Sequence, residues 1–167
     1  LFSFALNLTN VIVMVGAGFN QSNSVLIYKI LGDKEIAGIE KKIKINEIIK
    51  NNILIYVVLT FFIVGGMDLL VPFLLPKYTG SLVYFNILGM YGLLQCLYFI
   101  YSNFLFFYNK TKEIMYITFC SSLFHLSLSL LLTRYSLLFT CIVYAISQFV
   151  IIYVLRRYSI KILNINI

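Results

Sequence analysis

Apolar residues run along this chain in long blocks rather than in alternation with charge. The first block spans 1–31, with a polar break at Asn20-Gln21-Ser22-Asn23-Ser24. A charged stretch fills 32–50. A second block covers 52–75 and ends in the turn residues Pro76-Lys77-Tyr78-Thr79-Gly80. A third covers 81–108, a fourth 114–133 and a fifth 136–155, separated by Asn109-Lys110-Thr111-Lys112-Glu113 and by Arg134-Tyr135. Each block approaches or exceeds the roughly 20 residues that a helix needs to cross hydrocarbon. A strand of a membrane barrel needs only about 10 and alternates polar with apolar. Helices therefore remain as the spanning structure that pairs every backbone group internally. The pattern predicts an all-α integral membrane protein of about five transmembrane helices, forming a single transmembrane domain over 1–167.

The stretch 32–50 is read as a cytoplasmic amphipathic link. Ile36, Ile39, Ile43, Ile45, Ile48 and Ile49 interleave there with Lys41, Lys42, Lys44 and Lys50. This pattern suits either a basic helix lying on a membrane leaflet or a solvated helical connector.

Composition agrees with the blocks. Hydrophobic residues make up 61% of the chain and charged residues 11%, and mean hydropathy is +0.95. A soluble domain is roughly 45–50% apolar and about 25% charged. The net charge of +7 does not point to nucleic acid, because the cations cluster at block ends instead of forming a phosphate-binding face. Lys29, Lys34, Lys41, Lys42, Lys44, Lys50, Lys110, Lys112, Arg156, Arg157 and Lys161 fall on one predicted side. Only Lys77 and Arg134 fall on the other. The positive side is cytoplasmic, so the expectation is a multi-pass protein of the cytoplasmic (inner) membrane with a cytoplasmic C-terminus. Leu1 lies inside an apolar run with no initiator Met and no basic leader. The chain is thus expected to lack an N-terminal part that holds further spans. Cys96, Cys120 and Cys141 sit in apolar runs without paired or metal-ligand spacing and are read as buried free thiols.

Polar residues at membrane depth are the candidates for function, since each is costly unless it faces protein or water. In the fourth block Thr118, Ser122, His125, Ser129 and Thr133 share one helical face. In the first, Asn7, Asn10, Ala17, Gln21, Ser24 and Tyr28 fall near one face. In the third, Tyr91, Gln95, Tyr98, Ser102 and Asn109 do so. Such stripes either line a hydrated cavity or make hydrogen bonds between helices. Asn10, Gln21, Gln95, Tyr98, Ser122, His125 and Ser129 are the cavity candidates. His125 is the sole histidine, of a residue type that ordinarily titrates near neutrality, so it fits either proton coupling or packing. Asp68, near the outer end of the second block, fits either an interfacial carboxylate or a coupling-cation ligand. No Walker A loop, HExxH helix or GxSxG elbow occurs, and the few carboxylates form no acid–base pair. No enzyme chemistry, cofactor or metal site is expected.

The order of these features resembles a known family. A long helix with a polar middle ends at Leu31-Gly32-Asp33, and a basic amphipathic link follows. The next helix ends in Pro72-Phe73-Leu74-Leu75-Pro76-Lys77-Tyr78, with Ser81 and Ile87-Leu88-Gly89 beyond. A helix hairpin then turns at Asn109-Lys110-Thr111-Lys112. Over roughly residues 7–157 this resembles the C-terminal half of polysaccharide and O-antigen repeat-unit flippases of the multidrug/oligosaccharidyl-lipid/polysaccharide exporter superfamily. The resemblance implies part of a MATE-like six-helix lobe, the last five helices of a twelve-helix carrier, working by alternating access between two lobes. It implies a bacterial inner-membrane protein of lipopolysaccharide or capsule synthesis that moves undecaprenyl-diphosphate-linked oligosaccharide across the bilayer. Other polysaccharide-assembly membrane proteins would be its partners. The alternatives are a cation-coupled multidrug efflux protein of the same superfamily, a membrane sugar polymerase or an accessory membrane subunit. Five helices of a two-lobe carrier enclose no complete cavity, so this chain is expected to be inactive alone.

Overall fold

A computed structural model describes residues 1–166 and shows five long helices: α1 Phe2–Gly32, α2 Gly38–Leu74, α3 Leu82–Phe107, α4 Thr111–Leu132 and α5 Leu137–Asn166. A short 3₁₀ turn, Pro76–Ser81, joins α2 to α3. All five helices are long and apolar enough to cross a membrane, as the apolar blocks predict.

Two elements differ from the sequence reading. The charged stretch 32–50 is not a separate link. The chain turns at Asp33–Ala37 and α2 then runs unbroken for 37 residues into the second apolar block. No proline interrupts 38–71, and an amphipathic lysine-rich segment is itself a good helix former, so nothing stops the helix at the charge boundary. The turn is held locally: the Glu35 backbone N–H donates to Asp33 Oδ1 at 2.9 Å, and Lys41 Nζ donates to the Leu31 carbonyl at 3.2 Å, meeting a free carbonyl at the end of α1. Likewise, α5 continues past 155 through the basic segment to Asn166.

The hairpin between α3 and α4 is as tight as predicted. Asn109 adopts φ 55°, a left-handed conformation that asparagine tolerates better than most residues. The Lys110 N–H reaches the Leu105 carbonyl and the Asn109 N–H reaches that of Phe106. These two bonds form a Schellman closure that satisfies the last carbonyls of α3.

Helix α3 is the centre of the bundle. It packs against α1 on one side and α5 on the other, while α2 leans on α1 and α3, and α4 rests mainly on α5. Phe85, Leu88, Ile100, Phe104 and Leu105 of α3 are fully buried, whereas on α4 only Ile114 and Ser121 are buried. The outward faces carry large apolar side chains such as Phe61, Phe62, Leu69, Phe119 and Leu130. Such an inversion of the soluble pattern suits acyl chains.

The helices alternate in direction. Lys42 Nζ bonds Asn164 Oδ1 at 2.7 Å and Ser159 Oγ donates to the Tyr101 carbonyl at 3.0 Å. These bonds, with Lys41–Leu31, gather the C-terminal ends of α1, α3 and α5 with the N-terminal end of α2. This end holds the eleven clustered cations; Lys77 and Arg134 lie at the opposite end.

Candidate functional site: a polar pocket between α3, α4 and α5

The polar stripe of α4 is turned toward α5. His125 Nδ1 lies 3.1 Å from Ser147 Oγ, and its Nε2 lies 3.4 Å from Ser129 Oγ. In a neutral imidazole one ring nitrogen donates and the other accepts, and both serines can do either. Ser122 Oγ donates to the Thr118 carbonyl, and Thr140 Oγ1 donates to Thr133 Oγ1 at 3.3 Å. Part of the stripe therefore bonds helix to helix.

The rest opens into a cavity of about 190 Å³ lined by Tyr91 of α3, Ser121, Ser122 and His125 of α4, and Tyr144, Ser147, Gln148 and Ile151 of α5. Its aromatic walls are ordered: Tyr144 meets Tyr91 edge-on at 5.3 Å and His125 edge-on at 4.8 Å, the geometry that aromatic quadrupoles prefer. Gln148 is only 6% exposed, yet its Nε2 has no hydrogen-bond partner. A buried amide donor left unpaired costs about 1–3 kcal/mol. The lining contains hydroxyls, an amide, an imidazole and aromatic rings, and no acidic or basic chain of Asp, Glu, Lys or Arg type.

Of the residues named from sequence, Ser122 and His125 line this pocket and Ser129 adjoins it through His125. Gln95 and Tyr98 lie half-buried farther along the α3 face that presents Tyr91, outside the lining. Asn10 and Gln21 are exposed on α1 and take no part in it.

The polar residues of α1 that meet other helices are instead Asn20 and Asn23. Asn103 Nδ2 donates to Asn20 Oδ1 at 2.8 Å, and Asn23 Nδ2 donates to Asn52 Oδ1 at 2.8 Å. Tyr144, Ser147 and Gln148 escaped the sequence reading. Their spacing of three and one, continued to Ile151, is the same one-face signature that marks α4. Applied to α5, it would have found them.

Asp68 is half-buried near the end of α2, and its Oδ1 is shielded without a partner. Cys96 and Cys141 are buried free thiols, but Cys120 is exposed, because α4 covers little of its own surface. Among the described residues, no three His, Cys, Asp or Glu side chains gather as a metal cluster.

The MatE family model matches residues 2–131. The chain belongs to the MatE family. No curated protein and no solved structure gives a significant match. A MatE domain has the fold of a membrane transporter of the multidrug/oligosaccharidyl-lipid/polysaccharide superfamily and is not an enzyme, so the sugar-polymerase alternative falls away. The MatE match ends within α4, whereas α5 supplies Tyr144, Ser147, Gln148 and Ile151, half of the pocket wall.

Proposed function

We propose that this MatE-family chain contributes half of a substrate pathway in an alternating-access exporter of amphipathic organic molecules, with a cation as the coupling partner. The carrying observation is the pocket between α3, α4 and α5, where the unpaired Gln148 amide is buried among aromatic rings and hydroxyls. Rings supply contact area, and a few directional polar groups set orientation, which is the usual make-up of a small-molecule site. Family membership favours this reading over a sugar-specific flippase. So does Asp68, whose shielded and unpaired oxygen is the kind of group that ligates a small cation.

Lipid-linked oligosaccharide is the second reading. Hydroxyl, amide and aromatic groups also suit a sugar ring. A diphosphate calls for guanidinium or ammonium partners, however, and this pocket has none. Exposed Asn7, Asn10 and Gln21 on α1 would then line the wider cavity toward a second lobe, since polar side chains at membrane depth require protein or water opposite them.

The test is to express the native reading frame in one strain stripped of multidrug exporters and another lacking its polysaccharide flippase. Drug resistance that is lost on both Gln148→Ala and Asp68→Asn supports cation-coupled efflux. Restored surface polysaccharide without drug resistance overturns it in favour of the second reading.

A further inference from the structure

A second, open groove runs along the exposed basic end of α5, beginning just beyond the pocket. It has a volume of about 570 Å³ and is lined by Tyr153, Arg156, Arg157, Ile160, Lys161 and Asn164. The Arg157 guanidinium sits 5.5 Å from the centre of the Tyr153 ring and donates to its Oη at 3.4 Å, which pre-orients the fork. The Lys42–Asn164 bond draws the lysine-rich start of α2 to the rim of the cleft. The ion pairs among the described residues are Lys44–Glu40 and Lys110–Glu113. None engages Arg156, Arg157 or Lys161, and among the described residues no acidic side chain lines the groove beside these three cations.

We infer that this cleft is a binding site for the headgroup of an anionic phospholipid. Its place along the helix carries the argument. The apolar run of α5 ends at Leu155, so the basic turn falls where hydrocarbon gives way to headgroups. A phosphate ester at that depth meets Arg156, Arg157 and Lys161, while its acyl chains run back beside exposed Phe149 and Tyr153. The cluster repels the ammonium of a zwitterionic headgroup, so a net negative lipid is selected. The apolar wall distinguishes a lipid from a soluble anion, which gains nothing from it. Basic pockets at helix ends recognise lipids in this way. The inference does not depend on what the exporter carries.

The chain has no tryptophan, so Phe149→Trp installs a single indole reporter one turn below the cleft, on an exposed position, and leaves the Tyr153–Arg157 contact in place. The full chain carrying it is placed in phosphatidylcholine vesicles doped with either brominated phosphatidylglycerol or brominated phosphatidylcholine, and quenching is read. The expected result is quenching by phosphatidylglycerol as though it were enriched about fivefold or more over its mole fraction, the factor that one cation near a membrane surface supplies. In the Arg156→Gln, Arg157→Gln, Lys161→Gln background the enrichment falls to one, while Lys110→Gln with Lys112→Gln, at the same end but outside the cleft, leaves it intact. Equal quenching by the two lipids overturns the inference, and this comparison needs only the reporter, should the neutral triple variant fail to insert. Equal loss in the Lys110 and Lys112 variant overturns it as well. So does abolition of the difference by millimolar inorganic phosphate at constant ionic strength, which would mark a site for soluble anions.

Discussion

Two regions that share α3 are built in opposite ways. Where α3 meets α1, the backbones nearly touch. A Cβ on Gly16 would overlap the Cys96 Sγ, and one on Gly92 would press on Thr9 and Ile12 at 3.2–3.3 Å. The Cys96 thiol donates to the Ile12 carbonyl, Tyr56 Oη donates to the Gly16 carbonyl at 3.3 Å, and Asn20 and Asn103 pair. On the other side α5 packs on α3, but α4 rests on α5 and scarcely meets α3. The space between the three is left as a cavity, with an unpaired Gln148 amide and an unpaired Thr118 hydroxyl. In lipid there is little hydrophobic force between helices, so close approach of small residues and polar bonds supply the adhesion. The first region uses those means fully, and the second leaves them partly unused. The difference separates a structural seam from a place where a ligand can complete the bonding.

That contrast is open to direct attack. The largest effect is expected from Gly16→Val, because the added atoms must displace Cys96 on a neighbouring helix. It should destabilise the bundle by about 3 kcal/mol, the upper part of the overpacking range, read as reversible unfolding in detergent. Unchanged unfolding would mean that the seam is not close-packed.

Asn103→Ala should follow at about 1–2 kcal/mol, since it strands the Asn20 amide between helices. The Asn20/Asn103 double-mutant cycle should return a coupling near 0.6 kcal/mol, as for other intramembrane pairs.

Gln148→Leu should reverse the sign, leaving stability unchanged or raising it by up to about 1 kcal/mol, because it removes an unpaired donor rather than a bond. The same change should abolish export in cells. A large loss of stability would make Gln148 a structural residue and erase the contrast. His125→Ala should cost little stability, roughly 0.6 kcal/mol for the Ser147 contact. It should lower transport well beyond what that loss explains.

Much of the fold was legible in the chain itself. Apolar block lengths predicted five helices, and Pro76–Gly80 and Asn109–Lys110 predicted their turns. No helix ends at residue 50, because charge marks the edge of the hydrocarbon and not the end of a helix. The α4 stripe was legible for the same reason as the helices: a period of 3.6 places Ser122, His125 and Ser129 on one face. In α1, Asn10 and Gln21 stay exposed. Spacing groups Asn10 with Gln21, but it carries no sign of which face a neighbour will cover, and the bundle covers Asn20 and Asn23.

The sequence by itself therefore determined the solvent of this protein, its span count and its charge asymmetry, because each depends only on local composition and helical period. Only the tertiary structure decided which polar residues meet. It brought Tyr91, His125 and Gln148 to one pocket and set the start of α2 beside the basic end of α5, where Arg156, Arg157 and Lys161 are neighbours by helical geometry alone. The pocket depends on how α3, α4 and α5 are rotated against one another. Those rotations are set by side-chain volumes and bonds between residues far apart in the chain, such as Gly16 with Cys96 and Lys42 with Asn164.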